Sequence, residues 1–128
     1  MSAKETTAAA GLELALKCSQ LADARKGENI VILDMRDVSS IADYFVIVSA
    51  TSDPHLRAVA DDIRDRAKEE TGAAPKAIDG GMNAGWIVLD YFDVIVHVMR
   101  EDTRETFDLE SLWGDAPRVD SGLRQPKA

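Results

Sequence analysis

The strongest pattern of apolar positions lies in two runs, residues 86–89 and 94–99, which predict a β-hairpin. Both runs are rich in β-branched and aromatic residues and are about as long as typical strands. A two-residue turn at 91–92 would pair Trp86 with His97. Side chains alternate across a strand, so this register decides which side chains share a face.

The predicted register divides the hairpin into two faces of different character. One face is aliphatic throughout and is predicted to lie in the core: Ile87, Leu89, Val94, Val96 and Val98. The opposite face is aromatic at one end, apolar in the middle and acidic at the other end: Trp86, Val88, Asp90, Asp93, Ile95, His97 and Met99. A strand pair needs only one apolar face to be held in a domain. The second face is therefore predicted either to lie under one of the chain's own helices or to bind a partner.

Apolar residues with helical spacing predict two long helices, over residues 8–26 and 54–71. Asp53 is predicted to cap the second helix, and Pro54 fits the first helical position, where its missing N–H costs nothing. The other side of this helix is dense with charge. Opposite charges four residues apart favour a solvated face over a cluster of catalytic carboxylates. Two shorter helical segments are predicted within 101–115.

The unbroken apolar run 30–33, within 29–35, and the strongly β-prone run 44–50 predict two further strands, and residues 76–78 predict a short edge strand. The order of elements predicts a single-domain α/β sandwich with a mixed sheet of about five strands and flanking helices. The helix that follows the second strand allows the strands on either side of it to run parallel. The folded domain is predicted to span residues 11–116. Residues 1–10 are predicted to form a flexible N-terminal arm, and residues 117–128 a flexible C-terminal tail.

Charge and cysteine content narrow the classes of function. The formal net charge of the 128-residue chain is −8, which disfavours direct contact with nucleic acid through a basic groove and suits a basic protein partner. The single cysteine, Cys18, excludes an intramolecular disulfide and is predicted to be a buried apolar residue of the first helix. No apolar run is long enough to span a membrane, and the N-terminus lacks a signal-peptide pattern. A cytoplasmic location is predicted.

The chain carries no recognisable motif for catalysis or ligand binding. It has neither a glycine-rich phosphate-binding pattern nor a nucleophile elbow. Its two histidines, His55 and His97, do not have the spacing of metal ligands. Asp90 and Asp93 lie at a hairpin end, where turn formation explains them better than paired acid–base catalysis. No catalytic residue, metal site or cofactor is predicted.

Four segments, in order between about Asn29 and Val119, form a specific joint pattern. They are Asp-Tyr-Phe-Val-Ile at 43–47, the helix start with Ser52 and His55, the tryptophan hairpin at 85–98, and Phe-Asp-Leu-Glu-Ser-Leu-Trp-Gly-Asp-Ala at 107–116. Together they resemble the bacterial ribosomal silencing factor family, also called Iojap-related.

The resemblance implies an α/β fold similar to that of nucleotidyltransferases, without their activity. The sequence agrees on activity, because those enzymes hold Mg²⁺ with clustered carboxylates, and here no two aspartates are spaced by two. The resemblance also implies binding to the fourteenth protein of the large ribosomal subunit, on the face that meets the small subunit. A factor bound there blocks subunit joining and represses translation when nutrients are scarce. Family members also tend to form homodimers.

Under this interpretation the second hairpin face docks on a basic ribosomal protein. Trp86 is the expected aromatic anchor, and Asp90 and Asp93 supply complementary charge. The family usually has glycine at the position of Phe92, where a type I′ turn requires a positive φ that strains a phenylalanine. The turn is therefore expected to differ in type or length. Two alternatives stay open: an enzyme related to nucleotidyltransferases, and a purely structural homodimeric module.

Overall fold

A computed structural model describes residues 3–123 of the chain, with side chains from residue 10 onwards. Its helices and strands follow in the order α1 (Ala3–Ala24), β1 (Glu28–Asp34), β2 (Tyr44–Ala50), α2 (Asp53–Thr71), β3 (Ala77–Gly81), β4 (Trp86–Asp90), β5 (Val94–Arg100), α3 (Glu101–Phe107), α4 (Leu109–Leu112) and β6 (Arg118–Val119). The strands form one six-stranded sheet of order β3-β4-β5-β2-β1-β6. β2 and β5 are parallel, and the other neighbouring pairs are antiparallel. The predicted mixed α/β sandwich is confirmed, with one strand more than expected.

The larger hydrophobic core lies between α1, α2 and one face of the sheet, which we call the back face. The aliphatic side of the hairpin is buried there, as predicted: Ile87, Leu89, Val94, Val96 and Val98. Full burial of one such side chain is worth about 1.5–3 kcal/mol. Cys18 is also buried in this core, and burial raises the pKa of its thiol to about 12. The thiol is therefore neutral at pH 7 and packs as an apolar group.

The long helix α2 is capped by Ser52, whereas the sequence predicted a cap by Asp53. Ser52 has an extended backbone, and its Oγ accepts a hydrogen bond from the His55 N–H at 3.1 Å. Asp53 is already helical, and its carboxylate accepts a hydrogen bond from Arg100 at 2.8 Å. The end of β5 thus draws the Asp53 side chain away from the free amides of the helix. Gly72 ends α2 in the left-handed conformation.

Both ends of the chain have secondary structure where flexible segments were predicted. α1 begins at Ala3, so residues 3–10 of the expected arm are helical, in keeping with the helix propensity of their alanines. At the other end of the chain, Val119 of β6 pairs with Ile32 of β1. A two-residue strand is too short to produce a recognisable alternation in the sequence. The rest of the predicted tail, 124–128, lies outside the described residues.

The register of the hairpin differs by two residues from the predicted one. Val88, and not Trp86, lies opposite His97, and the turn residues are 92–93 instead of 91–92. A shift of two residues leaves every strand side chain on its predicted face, because side chains alternate along a strand. The division of the hairpin into an aliphatic and a mixed face therefore survives the error in register.

The hairpin turn explains the shift. Phe92 is its first central residue and has a φ of 81°, whereas the φ of Asp93 is not positive. A positive φ at the first central residue alone is the pattern of a type II′ turn, and not of type I′. The Tyr91 N–H donates to the Val94 carbonyl at 2.8 Å, so the strands pair up to these two residues. Asp93, which the predicted register paired with Asp90, belongs to the turn.

Candidate docking face

The face of the sheet opposite α1 and α2, which we call the front face, is covered at one end and open at the other. Residues 101–116, which we call the C-terminal cover, pack Leu109 and Ala116 onto a second hydrophobic cluster. Trp113 in the same segment meets the Phe45 ring edge-on, with centroids 6.1 Å apart. Cover by the chain's own helices, one of the two possibilities that the sequence left open for this face, therefore holds at one end, and the other end is open.

Three side chains of the predicted docking set lie beneath the surface. Ile95 and His97 are 9% and 7% exposed, and Met99 is fully buried. They lie on β5, between β4 and β2, where neighbouring strands and the packing above them exclude solvent. The expectation that all seven side chains line a surface is corrected for these three, which support the front face from below.

His97 fixes the orientation of Trp86. The Trp86 Nε1–H donates to His97 Nδ1 at 3.1 Å, and the Phe45 ring meets the imidazole edge-on with centroids 4.7 Å apart. An indole N–H can only donate, so Nδ1 accepts and the proton of the neutral imidazole is on Nε2. Nε2 has no hydrogen-bond partner in the described structure. Burial lowers the pKa of His97 to about 4, so the imidazole is neutral at pH 7 and this bond is intact.

The open end of the front face is an aromatic and acidic surface. Trp86, Val88 and Asp90 of β4 are half-buried, and the exposed Asp79 of β3 lies directly opposite Val88. Directly opposed residues of antiparallel strands share a face. Phe107, 56% exposed, packs against the indole with ring centroids 5.1 Å apart. We call these five residues the open strip.

The open strip includes two residues that sequence reasoning missed. Nothing in the sequence placed Asp79 on this face, because the predicted edge strand ended at residue 78, whereas β3 extends to Gly81 and pairs with β4. Phe107 had one usable signal, a large aromatic residue directly before the helix cap Asp108. The side chain of Phe107 turns towards Trp86 because the chain reverses between α3 and α4, where Asp108 has a φ of 42°.

Asp93 lies away from the open strip, contrary to prediction. Its Cβ would be 3.5 Å from a Cβ at Gly11, which places it beside α1 on the back of the sheet. Its carbonyl accepts hydrogen bonds from the backbone N–H groups of Asp43 and Tyr44. Burial and the neighbouring Asp43 carboxylate raise the pKa of Asp93. Asp93 therefore stabilises the turn and does not supply charge to the open strip.

A buried arginine attaches the C-terminal cover to the sheet. Arg104, 8% exposed, donates to Ser49 Oγ of β2 and to Glu110 Oε1, each at 2.9 Å. Glu110 also lies 3.5 Å from Arg118, at the start of β6. Charge-assisted hydrogen bonds of this kind are stronger and more directional than neutral ones. The network therefore holds α3, α4 and β6 in fixed positions beside the open strip.

The described part of the chain offers no alternative chemical centre. Among the side chains described, from residue 10 to residue 123, no three of His, Cys, Asp or Glu come together in a way that could hold a metal ion. No helix between residues 3 and 123 has the length and apolar character needed to cross a bilayer. His55 accepts a hydrogen bond from the Thr51 N–H at Nδ1, and its Nε2 lies 2.8 Å from the Arg25 carbonyl oxygen. These contacts give it a structural role between α1 and α2.

Known proteins match the chain over most of its length. A family model described as "Ribosomal silencing factor during starvation" matches residues 8–128. The ribosomal silencing factor of Bacillus subtilis is 43% identical over 98 residues, which is 77% of this chain and 82% of that protein. The factor of Halalkalibacterium halodurans is 40% identical over 98 residues, 77% of this chain and 83% of that protein. A crystal structure of a Chromobacterium violaceum protein superposes with a TM-score of 0.73 at 25% identity, covering 99% of this chain and 98% of that one.

Proposed function

Because the chain belongs to the ribosomal silencing factor family, we propose that it binds the large ribosomal subunit through the fourteenth protein of that subunit. The bound factor sterically blocks joining of the small subunit and so represses translation when nutrients are limiting. The observation that carries the proposal is the open strip, an aromatic and acidic surface that the chain's own C-terminal cover leaves exposed.

The chemistry of the open strip supports a basic protein partner. Trp86 and Phe107 provide rigid aromatic area of the kind that dominates binding energy at protein interfaces. Asp79 and Asp90 add negative charge at the margin, and the whole chain carries a net charge of −8. Opposite charges on two surfaces accelerate association and select the partner. The same charge disfavours direct contact with the phosphates of RNA.

The proposal includes three further properties of the factor: it forms a homodimer, it acts in the cytoplasm, and it has no catalytic activity. Steric exclusion needs occupancy of a surface and no turnover. Thermal unfolding with added Mg²⁺ and nucleotides tests for a residual nucleotide-binding function, because a ligand of the native state raises the melting temperature. We expect no shift. The homodimer is tested by light scattering of the purified chain.

The decisive experiment has two stages. The chain is first sedimented with purified large subunits, and small subunits are then added while light scattering reports joining. We expect stoichiometric binding and inhibition of joining. Failure to bind at low and moderate salt would contradict the proposal. Binding without inhibition would support attachment to the large subunit and contradict the block of subunit joining.

A matched pair of charge reversals sharpens the test. Asp79→Lys changes the open strip, whereas Glu69→Lys makes the same change of charge on the exposed side of α2. We expect Asp79→Lys to weaken binding about 10-fold at low salt and Glu69→Lys to leave it nearly unchanged. Equal effects of the two variants would show that net charge alone, and not the open strip, drives association.

A further inference from the structure

Phe92, at the tip of the hairpin, combines backbone strain with an exposed aromatic ring. Its φ of 81° lies in the left-handed region, which disfavours bulky residues and which glycine adopts freely. Its side chain is nevertheless 66% exposed. The ring therefore gains little from burial in the folded chain, and the backbone conformation is unfavourable. Strained residues that persist in this way cluster at binding sites.

The other strained residues have local backbone roles, as Phe92 has in the hairpin turn, but none of them carries an exposed aromatic ring. In the described part of the chain, the remaining non-glycine residues with positive φ are Lys26, Asn29 and Asp108. Asp108 caps α4, and Asn29 lies in the irregular part of β1; asparagine and aspartate also tolerate this region best. Lys26 closes the end of α1 by donating its N–H to the Asp23 carbonyl.

Of the contacts that Phe92 makes, only a weak one uses its aromatic ring. Its N–H donates to Asp90 Oδ1 at 2.9 Å, a bond that any residue except proline can make. Its ring contacts the ammonium of Lys76, 4.6 Å from the ring centroid, and that lysine is itself exposed. A cation–π contact in solvent is weak. Nothing in these contacts accounts for an aromatic residue at a position that suits glycine.

The tip is continuous with the open strip. Asp90, the last residue of β4 on the front face, holds the Phe92 backbone by the bond described above. The segment that precedes β2 meets the same turn, since the Asp43 N–H donates to the Asp93 carbonyl at 2.8 Å. That segment carries Ile41, which is 65% exposed. Two exposed apolar side chains therefore lie at the end of the sheet where the open strip ends.

We propose that Phe92 is a docking residue, whose ring enters an apolar recess on the same basic partner that the open strip binds. The inference rests on the proposed function and extends its contact surface to the hairpin tip. A basic partner suits the tip better than a second copy of the chain does. Asp43 and Asp90 lie beside the turn and Asp93 is part of it, so these carboxylates outnumber the Lys76 ammonium at the tip, and two copies meeting there would bring like charges together.

The experiment uses three substitutions of Phe92 in the full chain. Phe92→Gly removes both the ring and the strain, Phe92→Ala removes the ring and keeps the strain, and Phe92→Tyr keeps both. Melting temperatures and affinities for purified large subunits are measured for each. Ile78→Ala is the matched control, because Ile78 is also an exposed apolar residue of the sheet but lies opposite Leu89, on the back face.

We expect stability to follow the backbone strain and binding to follow the ring. The melting temperature of Phe92→Gly should exceed that of Phe92→Ala by about 3–6 °C. Both variants should bind large subunits about 10- to 30-fold more weakly than the wild type, while Phe92→Tyr stays within about 3-fold. The control Ile78→Ala should bind as the wild type does.

The outcomes separate this inference from the proposed function. If the wild type binds large subunits and Phe92→Gly binds them with the same affinity, the inference is overturned and the proposed function stands. A loss of affinity in Phe92→Ala but not in Phe92→Gly would overturn it too, since the ring would then be irrelevant. A changed oligomeric state with unchanged affinity would assign the tip to a second copy. Absence of wild-type binding would overturn both proposals.

Discussion

On the back face of the sheet two long helices bury a mostly aliphatic surface, whereas on the front face two short helices bury part of a mixed one. The back face is stabilised by the burial of apolar area, a contribution that does not depend on the direction of individual contacts. The front face depends on directional contacts, from Trp86 to His97 and from Arg104 to Ser49 and Glu110. The back face therefore sets how stable the domain is, and the front face sets the shape of the surface it presents.

Truncation on the back face should cause the largest loss of stability. Ile63 of α2 is fully buried in the larger core, so Ile63→Ala should lower the free energy of unfolding by about 2–5 kcal/mol. Urea unfolding measures the loss. At temperatures where the variant stays folded, its affinity for large subunits should be unchanged. A loss below about 1 kcal/mol would mean that the back face can collapse around the missing atoms.

Acid should weaken the front face through His97. Burial depresses the pKa of this residue to about 4, below the ordinary value of about 6.5 expected in the unfolded chain, so the unfolded state binds the proton more readily. The stabilising effect of neutral His97 is complete above pH 6.5 and is lost as the pH falls towards 4. The loss should reach about 3 kcal/mol. Urea unfolding at a series of pH values, followed by tryptophan fluorescence, measures it.

A His97→Gln variant provides the control for this pH dependence. It should be less stable than the wild type at pH 7 and should lack the additional loss between pH 6.5 and 4. If wild type and variant showed the same pH profile, the acid sensitivity would belong to carboxylates elsewhere in the chain.

Removal of the Arg104 side-chain charge should release the C-terminal cover. Arg104→Met leaves the buried Ser49 hydroxyl without its donor and the Glu110 carboxylate with Arg118 alone, and the cost should be about 2 kcal/mol. Amide exchange should accelerate in residues 101–116 and stay slow in α1 and α2. Uniform acceleration across the chain would contradict the separate roles of the two faces. The double variant with Glu110→Gln measures how much of the loss belongs to that pair.

The smallest expected effect concerns one hydrogen bond. Trp86→Phe keeps an aromatic ring on the open strip but leaves His97 Nδ1 without its donor, which should cost about 1 kcal/mol. Affinity for large subunits should fall less than in Trp86→Ala, because most of the aromatic area remains. Equal losses of affinity in the two variants would mean that the indole N–H, and not the ring, matters for docking.

The sequence was most informative where the apolar residues of a strand repeat regularly and all of them are buried against the same core. The alternation of Ile87 with Val88 and of Val94 with Ile95 identified the back face correctly, even though the predicted register was wrong by two residues. Strand β2 was predicted with its observed bounds, because an uninterrupted run of apolar residues suits a strand buried on both faces. Single contacts decided the rest. Ser52 caps α2 because Arg100, distant in sequence, takes the Asp53 carboxylate.

The front face was predictable only in part, for a related reason. Trp86, Val88 and Asp90 were identified from the hairpin alone, since their own strand determines their direction. The burial of Ile95, His97 and Met99 depends on elements packed around β5, and no local pattern reports it. Asp79 and Phe107 join the open strip through strand pairing and a chain reversal, neither of which has a periodic signature.

The parallel pairing of β2 with β5 has a consequence for the order in which the chain folds. α1, β1 and β2 are adjacent in sequence, as are β3, β4 and β5, so each group can form through short loops. Joining the two groups requires Tyr44 and Val94 to meet, which closes the long segment between them. The chain loses the conformational entropy of that segment before the β2–β5 pairing provides compensating contacts. Arg104 reaches Ser49 only after this step. The surface beside the C-terminal cover should thus be completed late, and a nascent chain should acquire it only once both halves have met.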